Sequence, residues 1–236
     1  MPAVDVQQGS GEWLQMRAGR VTGSKMADVL SRLKNGGETA DRKNYKAQIV
    51  AEILTGNSAQ SYVSPEMQWG TEQEPFARAA YEAATGVFVD QVGFYIHPAI
   101  ERAGGSPDGL VGVDGAIEIK CGKTATHIRW ALADEVPPEH EPQMMFYLAC
   151  TGRKWMDFVS FDPRVSPRYQ LFIKRLQRDE SRIADINAAV EQFLVEVDLM
   201  IEQLDARFPA LPEPLATHID TLDVAGLTEE DFKNLI

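Results

Sequence analysis

The sequence has only two cysteines in 236 residues, Cys121 and Cys150. Neither belongs to a Cys-x-x-Cys pair or a His-rich cluster, which argues against a zinc site. Reduced thiols and a cytoplasmic location are the expectation. No apolar run approaches the ~20 residues that a membrane helix needs. The opening MPAVDVQQGSGEW has no basic and no apolar region, so it does not read as a signal peptide. A Gly-x4-Gly-Lys-Ser/Thr loop is missing, so no P-loop motor is encoded. The four histidines, His97, His127, His140 and His218, are scattered without a His-x3-His pair. They are expected at the surface or in loops. There is no internal repeat and no low-complexity tract.

Positive charge is also scarce. The net charge is −12, which on its face disfavours nucleic acid. Its distribution changes that. Residues 1–60 hold 8 Lys/Arg against 6 Asp/Glu, residues 61–178 hold 12 against 15, and residues 179–236 hold 3 against 14. The excess acid sits in the last quarter, and a DNA-binding surface is permitted in the rest.

The hydrophobic fraction of 44% is that of a globular chain. The length fits one large domain better than two. A helix is expected after Thr22 or Ser24, with Met26, Val29, Leu30 and Leu33 as its stripe. A second fits Asn44 to Gly56, with Tyr45, Ile49, Ile53 and Leu54 inward. A third runs from Pro65 to Gly86 and carries Glu74. Period-2 segments over 87–98, 103–112 and 115–121 read as strands. Helices follow at 124–133 and 137–152, then strands at 155–163 and 168–176. A long helix spans about Asp179 to Phe208, and a linker and short helix occupy 209–236. The order gives α/β with a mixed sheet. The division expected is one domain over 1–208 and a tail over 209–236.

The stretch SPDGLVGVDGAIEIKC, from Ser106 to Cys121, carries the chemistry. Positions i and i+2 of a strand share a face. Glu118 and Lys120 therefore share one face, and Ile117 and Ile119 the other. With Asp108 at a turn and Glu74 on the preceding helix, three carboxylates and a lysine converge. Hard ions such as Mg²⁺ take carboxylate oxygens and keep waters. A lysine beside them orients a water or stabilises charge developing at phosphorus. Taken alone, Glu-x-Lys in a strand is more often a surface ion pair, with Asp108 capping a turn.

Context argues for chemistry. The pattern Asp-x9-Glu-x-Lys, with Pro107 before Asp108, resembles the PD-(D/E)XK nuclease signature. WLQMRAGRVTGSKM, WGTEQEPFARAAYE, SPDGLVG, IEIKC and PQMMFYLACTGRKWMDFVSFDPR resemble, in order and spacing, the lambda exonuclease or YqaJ-like viral recombinase family. The resemblance covers roughly residues 10–205. Phe161 stands where a tyrosine is common in the family.

The resemblance implies a restriction-endonuclease-like core, a mixed central sheet flanked by helices. It implies Asp108, Glu118 and the Ile119 carbonyl as metal ligands, and Glu74 as ligand to a second metal. Lys120 would position the attacking water, and Gln143 would stand near the site. Arg17, Ser24 and Ser106, with Gln143, would bind a 5′-terminal phosphate. A serine at a helix N-terminus and a bidentate arginine suit an anion. The implied activity is 5′→3′ exonuclease action on linear duplex DNA with two Mg²⁺ ions, Mn²⁺ substituting, leaving a 3′ single strand for annealing. A homotrimeric ring and a single-strand annealing protein are the implied partners. A PD-(D/E)XK endonuclease and a catalytically silent DNA-binding scaffold are the alternatives.

Overall fold

The structure is a computed structural model that describes residues 4–59 and 64–208. The chain divides into two compact units, Met1–Asp198 and Leu199–Ile236. All described strands lie in the first. The described part of the second is the last turns of a long helix and Phe208. The expected tail, 209–236, lies outside the described residues.

Seven helices are described: α1 (Gly11–Arg17), α2 (Met26–Leu30), α3 (Ala40–Thr55), α4 (Pro65–Thr85), α5 (Thr124–Ala133), α6 (Glu141–Thr151) and α7 (Glu180–Arg207). Eight strands accompany them: β1 (Val21–Thr22), β2 (Val89–Asp90), β3 (Tyr95–Ile96), β4 (Ala103–Gly105), β5 (Gly109–Val111), β6 (Gly115–Lys120), β7 (Trp155–Phe161) and β8 (Leu171–Gln177). Five form one mixed sheet in the order β2-β5-β6-β7-β8, in which only the β6–β7 pair is parallel. The other three form a small sheet, β1-β4-β3, with β1 and β4 parallel. The expected mixed sheet flanked by helices is what the chain builds.

The central strand is β6. Ile117 and Ile119 enter a core with Ala77 and Tyr81 of α4 and with Val159 and Phe161 of β7. Helix α6 is buried over seven consecutive residues, Met144 to Cys150. An all-round apolar helix has to be enclosed, and α6 packs against β3, β4 and β7. The α7 stripe is buried at Ile183, Ile186, Val190, Phe193, Leu194 and Val197, whereas Ile201 and Leu204, expected in the same stripe, are half-buried and exposed. Helices α3 and α4 end as their glycines suggest, at Gly56 and Gly86 in left-handed conformation.

Several expectations fail locally. The helix expected after Thr22 is a three-residue 3₁₀ turn, Gly23–Lys25, followed by the five-residue α2. Thr22 lies in β1 and caps nothing with its side chain. The Ser31 hydroxyl folds back onto the Asp28 carbonyl at 2.9 Å, and the chain turns into a bridge between Arg32 and Glu38. Leu33 is therefore exposed, and so is Leu54 in the last turn of α3. Helix α1 was not expected. It is capped by Ser10, which accepts from Trp13 N at 3.1 Å, and it buries no residue fully.

His127 is buried within α5, contrary to a surface or loop placement, whereas His97 lies in a loop as expected, just after β3, but is buried there. His97 Nδ1 accepts from the Ala99 and Ile100 amides. His127 Nε2 contacts the Tyr169 carbonyl and so must donate to it, which leaves Nδ1 to accept from Ser160 Oγ, both at 2.7 Å. Each ring replaces solvent for polar groups the fold has to bury. His218 lies outside the described residues. Trp130 is buried edge-on to Phe158 and His140 as core packing.

Candidate active site

Antiparallel pairing of β5 with β6 sets Gly109 opposite Ile117, which brings the turn before β5 to the C-terminal end of β6. Asp108 precedes Gly109 there, and its Oδ2 accepts the Ile119 amide at 2.6 Å. Glu118 points away from the isoleucine face and is 1% exposed. Its Oε1 accepts from Gln143 Nε2 at 2.6 Å and pairs with Lys120 Nζ at 2.5 Å. A surface ion pair is thereby excluded. The other oxygen, Oε2, is buried with no partner.

Glu74 joins from α4. Arg78, one turn on, donates to Glu74 Oε1 and lies 3.4 Å from the Asp108 carbonyl. The three carboxylates act on one another. Burial, with the nearby Asp108 and Glu74 charges, pushes Glu118 up to about 8 despite Lys120. Burial, then the Asp108 charge, raises Glu74, and burial raises Asp108. Burial pulls the Lys120 ammonium down, but Glu118, Asp108 and Glu74 outweigh it and hold it above its ordinary value.

These carboxylates suit a cation. A buried carboxylate oxygen with no donor and three mutually repelling acids are what a divalent ion relieves. Among the described residues no three His, Cys, Asp or Glu side chains form a ready-made metal cage.

A second cluster lies two residues upstream of Asp108. Ser106 Oγ accepts from Trp13 Nε1 at 2.9 Å. The Arg17 guanidinium stacks on the Trp13 ring at 4.2 Å. Its Nη2 reaches Ser24 Oγ at 3.4 Å and Thr22 Oγ1 at 3.5 Å. Arg17, Ser24 and Ser106 thus meet through Trp13. Ser24 sits in the 3₁₀ turn and not at the start of a full helix, so the side chains and not a long helix dipole make this pocket. Gln8 Nε2 ties the N-terminal segment to the Pro107 and Val92 carbonyls, both at 3.0 Å. A cleft of about 580 Å³ opens between that segment and α4, lined by Gln8, Trp13, Glu74, Arg78 and Asp108 among others. A smaller pocket of about 390 Å³ lies between α5 and the 135–139 loop, lined by none of the site residues.

A model of the YqaJ-like viral recombinase domain matches residues 12–154. The chain belongs to that family. The alkaline exonuclease LHK-Exo of Laribacter hongkongensis is 43% identical, over 84% of this chain and 97% of its own, with a TM-score of 0.77. LHK-Exo in complex with dAMP matches over the same shares at 44% identity, with a TM-score of 0.78. A phage-related exonuclease of Haemophilus somnus shares the fold at 17% identity, covering 78% of this chain and 96% of its own, with a TM-score of 0.62. No curated protein matches.

Family membership agrees with the motifs, and the structure gathers the residues that carry them. Glu74, Asp108, Glu118, Lys120 and Gln143 converge at one end of β6. Arg17, Ser24 and Ser106 form the neighbouring group. Gln143 bonds to Glu118 and to the Tyr147 hydroxyl, at 3.2 Å for the latter. Arg78, Tyr147 and Gln8 were not singled out from sequence. Arg78 and Tyr147 each lie four residues after a candidate on the same helix, a spacing that makes helix neighbours. Trp13 and Asp162 were visible only as letters of the family blocks. Asp162 is fully buried, and Arg164 clamps it at 2.7 Å while donating to the Gly122 carbonyl at 2.7 Å. That clamp fixes the loop just after Lys120.

Proposed function

We propose that this chain is an exonuclease that degrades one strand of linear duplex DNA from its 5′-phosphate end. The observation that carries this reading is the pairing of two sites. An acid cluster around buried Glu118, with one of its oxygens unpaired, lies two residues along the chain from an arginine–serine pocket fit for phosphate. LHK-Exo, at 43% identity, supports exonuclease chemistry, and its complex with dAMP supports a nucleoside monophosphate as the unit released.

In this reading Asp108, Glu118 and the Ile119 carbonyl would hold one Mg²⁺, and Glu74 would help hold a second, with Mn²⁺ as a substitute. The ions would stabilise the attacking and leaving oxygens of the phosphodiester. Lys120 orients the water that attacks phosphorus, since its ammonium is fixed by Glu118 at the site. Gln143 holds Glu118 in its rotamer. Arg78 neutralises Glu74 and keeps it in place. Arg17 grips the terminal phosphate, with Ser24 and Ser106 donating hydroxyls. Holding the end phosphate sets the direction, and the 3′ strand is left for annealing. Duplex ends are then the substrate, and a single-strand annealing protein is the partner.

A gel of linear and closed circular duplex, with Mg²⁺ or with chelator, tests the proposal. Exonuclease action consumes linear DNA only and stops with chelator. Cutting of the circle would instead favour an endonuclease, and inertness toward both a DNA-binding scaffold.

A further inference from the structure

Tyr147 of α6 is 3% exposed, and its ring lies against two glycines from separate parts of the chain. A Cβ at Gly23 or at Gly105 would collide with the same ring atom, Cε1. Gly23 lies between Thr22 and Ser24, and Gly105 immediately precedes Ser106. Both backbone segments that present the pocket hydroxyls therefore rest directly on one aromatic ring. At its other end the Tyr147 hydroxyl accepts from Gln143 Nε2 at 3.2 Å. That same nitrogen donates to Glu118 Oε1 at 2.6 Å.

We propose that Tyr147 is a positioning residue that fixes the end-phosphate pocket at a set distance from the cutting centre, and so sets the length of the product. The inference rests on the exonuclease reading and deepens it. An enzyme that holds a terminal phosphate and cuts the next phosphodiester needs a rigid spacing between the two sites. Misplacement by about 1 Å costs on the order of a hundredfold in rate. Ser24, Ser106 and Glu118 come from three different elements, and the Tyr147 ring and hydroxyl join all three. The two ends of the side chain divide the work. The ring holds the pocket, and the hydroxyl, through Gln143, holds Glu118.

Two variants separate this role from space filling. Tyr147→Phe keeps the ring and removes the hydroxyl. Gly105→Ala displaces the ring. Each is assayed for melting temperature, for kcat and KM on linear duplex, and for the length of 5′-labelled products. Affinity for 5′-phosphate against 5′-hydroxyl duplex is measured in chelator, where nothing is cut. Tyr147→Phe is expected to lower kcat about tenfold, the worth of one hydrogen bond. It should leave KM, mononucleotide products and the preference for 5′-phosphate unchanged. Gly105→Ala is expected to give a mixture of mononucleotides and longer products and to lose the phosphate preference. The inference is overturned if folded Tyr147→Phe turns over like wild type, or if folded Gly105→Ala still releases mononucleotides alone. It is also overturned if both variants lose activity only in step with melting temperature. Should Gly105→Ala not fold, Gly23→Ala, whose Cβ meets the same ring atom, takes its place under the same criteria. A wild-type chain that leaves all DNA intact sinks the exonuclease reading itself; digestion by wild type and Tyr147→Phe alike sinks this inference alone.

Discussion

Burial leaves Glu118 with one carboxylate oxygen engaged by both Lys120 and Gln143 and the other bare. A cation is the natural complement to that oxygen and to Asp108 beside it. Asp108→Ala, Glu118→Ala and Lys120→Ala are each expected to lower hydrolysis by at least about a hundredfold, the scale of general acid–base and metal effects. Circular dichroism should show each variant folded. Calorimetric titration with Mg²⁺ should separate them: Lys120→Ala still takes up the ion, since an ammonium is no ligand, whereas Asp108→Ala and Glu118→Ala do not. Wild-type rates in any of the three would refute the site. The pocket makes its own prediction. Arg17→Ala removes a charged donor worth about 1.5–3 kcal/mol. Preference for 5′-phosphate over 5′-hydroxyl ends should fall by about tenfold or more in a competition digest, and equal wild-type rates on the two ends would contradict the pocket.

At the scale of elements, helix α3 is bound to α7 through charge. Arg42 is fully buried, donates to Glu38, Glu196 and the Val29 carbonyl, and lies beside Lys46, whose Nζ is 2.9 Å from Glu196. Burial would raise Glu196, but hydrogen bonds from Arg42 and Lys46 prevail and hold it at about 2. A carboxylate depressed in the folded state stabilises above its unfolded pKa of about 4.3. That contribution is lost as pH falls from there toward 2. Glu196→Ala should therefore cost about 2–3 kcal/mol at pH 7, because it leaves buried cations short of a partner. The cost should shrink as pH falls through that window, read by denaturant melts at several pH values. A pH-independent cost would show that packing, not charge, is lost. Here the sequence informs unevenly. Helices α3, α4 and α6 follow from Pro or Gly at their ends and α7 from its period, and Ile117 and Ile119 reveal which face of β6 is core. Helix α1 and strand β1 escape because elements this short bury too little surface to impose a period. Arg42 escapes too, since nothing local distinguishes a buried arginine on a helix from a solvated one. The candidate site is legible because its acids and lysine fall in one recognisable pattern. Tyr147 is not, because its role depends on two distant glycines that close on it only in the fold.

The whole molecule is acidic, and part of that acid is paired within the fold, as Glu196 with Lys46 and Asp198 with Arg102 show. Among the described residues no helix is long and apolar enough to cross a membrane. A net charge of −12 makes electrostatic grip on DNA weak and salt-sensitive. We propose a closed ring of three subunits as the answer, since enclosure retains duplex without many phosphate contacts. Light scattering at micromolar protein and moderate salt should give three times the 26.2 kDa chain mass. A monomer mass together with sustained processive digestion would contradict the ring. The central claim, that Asp108, Glu118 and Lys120 cut DNA inward from a phosphate held by Arg17, is tested most directly by one time course. Linear duplex labelled at its 5′-phosphates is incubated with Mg²⁺, beside a closed circle and a chelator control. The account predicts early release of labelled mononucleotide from the linear duplex alone, abolished by chelator and by Glu118→Ala. Label retained while the 3′ ends shorten, or loss of the closed circle, would contradict it.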